Sequence, residues 1–275
     1  MSRVLNLKGR YYRTIPMESA GYTEEALDLD AAQTAFVSLH CWDIGCPGGP
    51  EADPQYCVGM GHRVCLDEAY RVMHDVVRPA MDAARAAGLA VYHVQAESIA
   101  ANYPKWFTCD ADPPPAGTGD PAPEAIPGHR DAVLFRSHGQ DYMTRSGLAH
   151  MDIAEVVAAL PDEPVVHQTS QFDRMLRRQG IVNLIYTGFA TDMCILNAPG
   201  GVGPMFSLGY RVLLIREATL GVEQPDTIDD RIATRWGMRF IETHWGDTIG
   251  FDDFMAACAR LGCRATPLPV REREG

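Results

Sequence analysis

Apolar residues along the chain fall into two rhythms. Short apolar runs at Ala35–Leu39, Leu89–Val94, Val165–His167, Val182–Thr187 and Arg211–Ile215 have the length and β-branched content of buried strands. Between 66 and 87 the spacing changes to three and four. Leu66, Ala69, Tyr70, Met73, Val76, Val77, Ala80, Met81 and Ala84 form one stripe, and Gly88 follows as a stop. That segment predicts a long amphipathic helix, with a kink or break at Pro79, which removes a backbone donor. Further helices are expected from about Gln171 to Gln179, from about Thr191, near Thr227–Trp236 and over Phe251–Leu261, with a late strand near Arg239–Thr243. Alternation of this kind specifies an α/β fold: a three-layer, doubly wound sandwich around a mainly parallel sheet of five or six strands.

The remaining segments read as attachments to one domain over 34–265. Residues 1–33 are polar and mixed and predict an N-terminal arm over the body or a partner subunit, and 266–275 read as a tail. Gly45–Pro54 is rich in Gly and Pro, as a loop would be. From 98 to 136 there is little periodicity and a Pro/Gly-rich centre at Asp110–Pro121, which predicts a surface excursion. It is either a lid over the site or a solvent-exposed insertion; Tyr103, Trp106 and Phe107 favour the lid. The segment Pro199–Pro204 must stop any helix that begins near Thr191 after about one turn.

Charge narrows the function. The 275 residues carry a formal charge of −12 with their arginines dispersed among acids, which argues against nucleic acid as a partner. No run approaches the about 20 apolar residues of a membrane span, and the first residues lack the apolar core of a secretory signal, so a cytoplasmic protein without membrane attachment is expected. In that compartment the eight cysteines stay reduced.

The chemistry centres on Cys194, just past the strand-to-loop turn Leu184–Asp192, where a helix should begin. Amides at a helix start favour a thiolate and can hold an oxyanion, so Cys194 is a candidate nucleophile; the alternative is an ordinary buried thiol. Around it stand Ser170-Gln171-Phe172, a Leu-containing helix, a strand ending in Gly188, Thr191-Asp192-Met193-Cys194, Gly209-Tyr210-Arg211-Val212 and Glu217-Ala218-Thr219. This order resembles the isochorismatase-like cysteine hydrolases, among them nicotinamidases and ureidoacrylate amidohydrolases. The likeness is good from about Pro164 to Thr219 and weaker over Thr34–Leu39 and Leu89–Val94. It implies an Asp–Lys–Cys triad, of which this chain keeps the cysteine. The Asp position falls on His40, with Asp43 three residues later as an alternative acid, and the counterpart of the Lys is His167. The chain has two lysines, Lys8 and Lys105, neither near these motifs.

Two functions from different classes follow. In the first, the protein is a cysteine hydrolase of a C–N bond in a small amide, ureido or imide compound. Cys194 attacks, His40 serves as base and acid, His167 orients the site or stabilises charge, and the backbone N–H groups of Met193 and Cys194 hold the oxyanion. In the second, the protein is a non-catalytic relative that binds a small molecule or serves as an oligomeric scaffold, as loss of both triad partners would suggest. Trp42, Phe172, Thr191, Asp192, Trp106 and Asn197 are the expected pocket residues. Cys41, Cys46, Cys57, His62 and Cys65 cluster in sequence but lack a Cys-x2-Cys knuckle, and His93-x-Gln95 is poor in charge, so neither a metal nor another cofactor is expected. The resemblance implies dimers or larger homo-oligomers.

Overall fold

The computed structural model describes residues 3–53, 55, 60, 62–113 and 125–262. Its strands are β1 (Val4–Arg13), β2 (Gly21–Asp30), β3 (Thr34–Leu39), β4 (Ala90–Val94), β5 (Val165–Val166), β6 (Asn183–Gly188), β7 (Arg211–Ile215) and β8 (Asp247–Ile249). They form one sheet in the order β2-β1-β8-β7-β6-β3-β4-β5. From β8 to β5 all neighbours are parallel, whereas β1 pairs antiparallel with both β2 and β8.

The sheet thus has eight strands rather than five or six, and the difference lies in the N-terminal segment. Residues expected to form an arm make a β-hairpin in continuous register from Val4↔Asp30 to Arg13↔Gly21. The signal for it was a period of two: Leu5 and Leu7 are buried, and Asn6 and Lys8 between them are exposed. A second correction concerns Arg239–Thr243, which is helix and not strand. Helix α10 (Ile232–His244) runs through it, burying Thr234, Gly237 and Ile241 at helical spacing, and the strand follows at β8.

Helices cover both faces. On one, α1 (Arg63–Val72) and α2 (Arg78–Ala86) pack with α11 (Phe251–Gly262) over Phe36, Ile185 and Leu213. At Pro79, where a kink or break was expected, the helical backbone continues, and the irregularity is a π-helical turn, Met73–Val77, just ahead of the proline in the first turn of α2. Short helices α3 (Glu97–Ala100), α4 (Pro104–Phe107), α5 (His129–His138) and α6 (Tyr142–Arg145) interrupt the stretch after β4. On the other face, α7 (Thr169–Gln179), α8 (Cys194–Asn197) and α9 (Val202–Ser207) lie with α10 over Val37, Tyr92, Tyr186 and Leu214. α8 ends after four residues, as Pro199–Pro204 requires. No helix among the described residues is long and apolar enough to cross a membrane. The predicted tail, 266–275, lies outside the described residues.

The order of strands locates the site. The chain proceeds from β3 outward through β4 to β5, then returns to the other side of β3 at β6 and continues through β7 to β8. The reversal between β3 and β6 is the switch point of a doubly wound sheet, and the crevice at the carboxyl ends of those two strands is where ligands bind.

Candidate active site

Two strand ends build the site. β3 is buried throughout and ends at Leu39; His40 then takes a left-handed conformation, with φ 49°. Its amide still donates to Val94 O at 3.0 Å, and its carbonyl accepts from Trp42 N at 3.0 Å, so the turn is held on both sides. The His40 ring stacks on Trp42 at 4.9 Å between centroids. It is 8% exposed, and Nδ1 is buried with no hydrogen-bond partner.

Across the switch point, β6 ends at Gly188, whose φ of 113° belongs to glycine. Phe189 N then donates to Leu39 O at 3.0 Å, which carries the register of the two strands into the loop. The Phe189–Ala190 peptide is cis. Thr191 and Asp192 fasten this loop to the next crossover: Thr191 Oγ1 bonds Thr219 Oγ1 at 2.7 Å, and Asp192 accepts from Val222 N at 2.8 Å. Gly237 lets α10 come close beneath, because a Cβ there would stand 2.6 Å from Thr191 O. Cys194 follows as the first residue of α8.

His40, Trp42, Met193 and Cys194 meet in one cavity of about 180 Å³, together with Ile44, Met60, Leu66, Ala69, Met73, Tyr142, Leu148, Phe189 and Ala190. Sequence reasoning missed these last nine. Leu66, Ala69 and Met73 belong to the helical stripe read as core, and the same apolar periodicity serves a core and a cavity wall.

The other expected residues stand elsewhere. His167 is not in the cavity wall; its ring stacks on Phe107 at 4.7 Å. Phe172 is core, fully buried and packed on Tyr92 at 5.2 Å. Trp106 lines a separate groove with Tyr92 and Arg178, and its carbonyl accepts from Gln171 Nε2. Asp43 accepts from Asp152 N at 2.8 Å, which pins a loop. Thr191 and Asp192 hold the loop before Cys194 as described, and Asn197 is exposed on α8. Of the two amides expected to hold an oxyanion, Met193 N–H donates to Ala190 O at 3.1 Å, whereas Cys194 N–H has no backbone acceptor among the described residues.

The cysteine cluster is divided among different contacts. Cys46 Sγ lies 3.7 Å from Trp42 O, Arg231 donates to Cys65 Sγ at 3.2 Å, and His62 Nδ1 caps α1 by accepting from Val64 N. Cys57 lies outside the described residues, among which no three His, Cys, Asp or Glu side chains converge as a metal site would require. His93 is bound instead to Glu163 at 3.0 Å, which Arg85 holds from the other side at 2.7 Å.

Burial sets the charge state of the pair. It pulls His40 down to about 4, and it raises the Cys194 thiol above its ordinary value against a hydrogen bond from the Ala190 backbone. At neutral pH the two rest as imidazole and thiol rather than as the ion pair that Cys–His chemistry often uses. Stability must therefore fall in acid. The unfolded chain takes up the His40 proton near the ordinary 6.5 and the folded one only near 4, so stability is full above 6.5 and declines as pH drops through that window. The loss from His40 should reach roughly 3 kcal/mol. Burial lowers His93 and His167 as well and adds in the same direction. Urea midpoints at pH 7 and 4.5 test this; if His40→Gln shows the same decline as the wild type, His40 is not buried as a neutral ring.

Residues 53–227 match the Isochorismatase domain, and the chain belongs to that family. Among solved structures it is similar to a cysteine hydrolase from Pseudomonas syringae pv. phaseolicola 1448A, with 15% identity over 85% of this chain and 95% of that one and a TM-score of 0.51. It is also similar to an Isochorismatase family protein from Burkholderia thailandensis (17% identity, 83% and 96% covered, TM-score 0.46). A third is a nicotinamidase from Staphylococcus aureus (10% identity, 79% and 99% covered, TM-score 0.41). At 15% identity the likeness to the first of these is one of fold. No curated protein is similar to the chain in sequence.

Proposed function

We propose that the protein is a cysteine-dependent hydrolase that cleaves a C–N bond of a small amide, ureido or imide compound through a thioester. The observation that carries this is the meeting of Cys194 and His40 in one cavity at the switch point, with a ring nitrogen of His40 left free. Membership of the Isochorismatase family supports it, as does the fold shared with a cysteine hydrolase.

Because the resting pair is neutral, His40 acts as a general base during attack instead of stabilising a preformed thiolate. Cys194 Sγ adds to the carbonyl carbon while its proton passes to His40, and Cys194 N–H receives the developing oxyanion. The tetrahedral centre then collapses, the C–N bond breaks, and the amine leaves with the proton from His40. Water, deprotonated by His40, adds to the thioester; the C–S bond breaks, the carboxylic acid departs and the thiol is restored. One water is consumed for each bond cleaved. His167, stacked on Phe107 outside the cavity wall, takes no direct step.

The raised thiol and the lack of a lysine favour a second reading, a binding relative in which Cys194 is only a cavity wall. Alkylation by iodoacetamide, followed by mass spectrometry, separates the two. The hydrolase should label with a midpoint above the about 8.5 of a free thiol, and at pH 7 His40→Ala should slow labelling at least about fivefold through loss of base assistance. A plateau of high reactivity reaching down to pH 6 would sink the neutral-pair mechanism. An identical rate in the His40→Ala variant would favour the binding protein.

A further inference from the structure

The cavity beside Cys194 is lined mostly by apolar side chains, with the indole N–H of Trp42 and the phenol of Tyr142 as neutral polar groups. Apart from His40 its walls are aliphatic, thioether, aromatic or small, and no Lys, Arg, Asp or Glu lines it among the described residues.

We propose that the site takes an uncharged carboxamide carrying a compact apolar acyl group of about five to seven carbons, and rejects compounds that bear a carboxylate. The turnover part rests on the hydrolase reading above; the binding part does not. Size comes from the volume: a cavity of about 150 Å³ lined by apolar side chains holds a benzene ring, and this one, at about 180 Å³, has room for a chain of similar bulk plus a carboxamide at the His40–Cys194 end. Met60, Met73 and Met193 add tolerance, since unbranched thioethers repack around differently shaped ligands. Selectivity comes from desolvation. An anionic group moved from water into such walls finds no counter-charge, and His40 supplies none because burial keeps it neutral down to about pH 4. An apolar acyl group loses nothing on entry and gains from the area it hides.

Hexanamide and adipamate test this, the second being the same six-carbon amide with a carboxylate at its far end. Titration calorimetry on Cys194→Ala, which cannot turn either over, should show hexanamide bound at least about 100-fold more tightly. The wild type should convert hexanamide and water to hexanoate and ammonia. In the Cys194→Ala background, Met193→Arg should narrow or reverse the preference by placing a cation in the wall. Met193 is 53% exposed, so folding should survive; Leu148→Arg, from a different segment of the wall, serves as a second variant. Hexanamide binding without turnover would uphold the selectivity and remove the hydrolase reading. Preferential hydrolysis of adipamate would leave the hydrolase reading standing and overturn the selectivity. Binding of neither at millimolar concentration overturns it also.

Discussion

Replacing Cys194 by alanine should lower kcat/KM for a hydrolysed amide at least about 10³-fold while leaving the fold intact. The size of the effect follows from the inventory of the cavity. Cys194 is the only cysteine lining the described cavity, and with no Lys, Asp or Glu in the described lining the attack has no second route through the cavity wall. Water activated by His40 alone would have to add to an unactivated amide. The fold should survive because the thiol is only half-buried and its described hydrogen bond is to the Ala190 backbone. Steady-state rates on purified wild type and variant, with melting curves as a control, give the answer. Undiminished hydrolysis in the variant would remove Cys194 from the mechanism.

Gly188→Ala should destabilise the protein by at least about 3 kcal/mol. A Cβ at this position would lie 1.9 Å from Leu39 O and 2.8 Å from Leu39 C, both backbone atoms of the neighbouring strand, and φ is 113°. No rotamer can relieve an overlap with backbone, so β3 and β6 would have to part where Phe189 N–H meets Leu39 O. That bond joins the His40 strand to the Cys194 loop, and activity should fall along with stability. Urea denaturation measures the change. A shift below about 0.5 kcal/mol, within the range of ordinary surface substitutions, would mean that the two strands do not approach each other this closely.

Position at the cavity could be read without a structure for some residues and not for others. Cys194 was legible because its motif is local: a strand ending in glycine, a short loop and a helix start lie within a few residues of one another. Trp42 and His40 were legible for the same reason, as neighbours at the end of a short apolar run. Phe172 and Trp106 were not, because a buried aromatic in the core and one in a pocket leave the same trace in a sequence. Asp192 and Thr191 were placed in the site region but as pocket residues, whereas their hydrogen bonds to Val222 and Thr219 make them the fasteners of the loop.

What the sequence determined by itself was local: the alternation of buried strands with amphipathic helices, the helical irregularity near Pro79, the end of the helix after Cys194 and the absence of lysine near that cysteine. Each depends on spacing or residue type within a few turns of chain. The hairpin over 4–30 escaped because its alternation covers few apolar residues, and it is stabilised by pairing with a strand more than 200 residues away, Arg10 against Thr248. Only the tertiary structure decided which strand-end histidine shares a cavity with Cys194. His40 leaves β3, the direct neighbour of β6, whereas His167 leaves β5, with β3 and β4 in between, about 14 Å from β6 across the sheet at the usual strand spacing. Both histidines follow apolar runs that look alike in the sequence, and the order in which strands pair is set by long-range packing that no local pattern records.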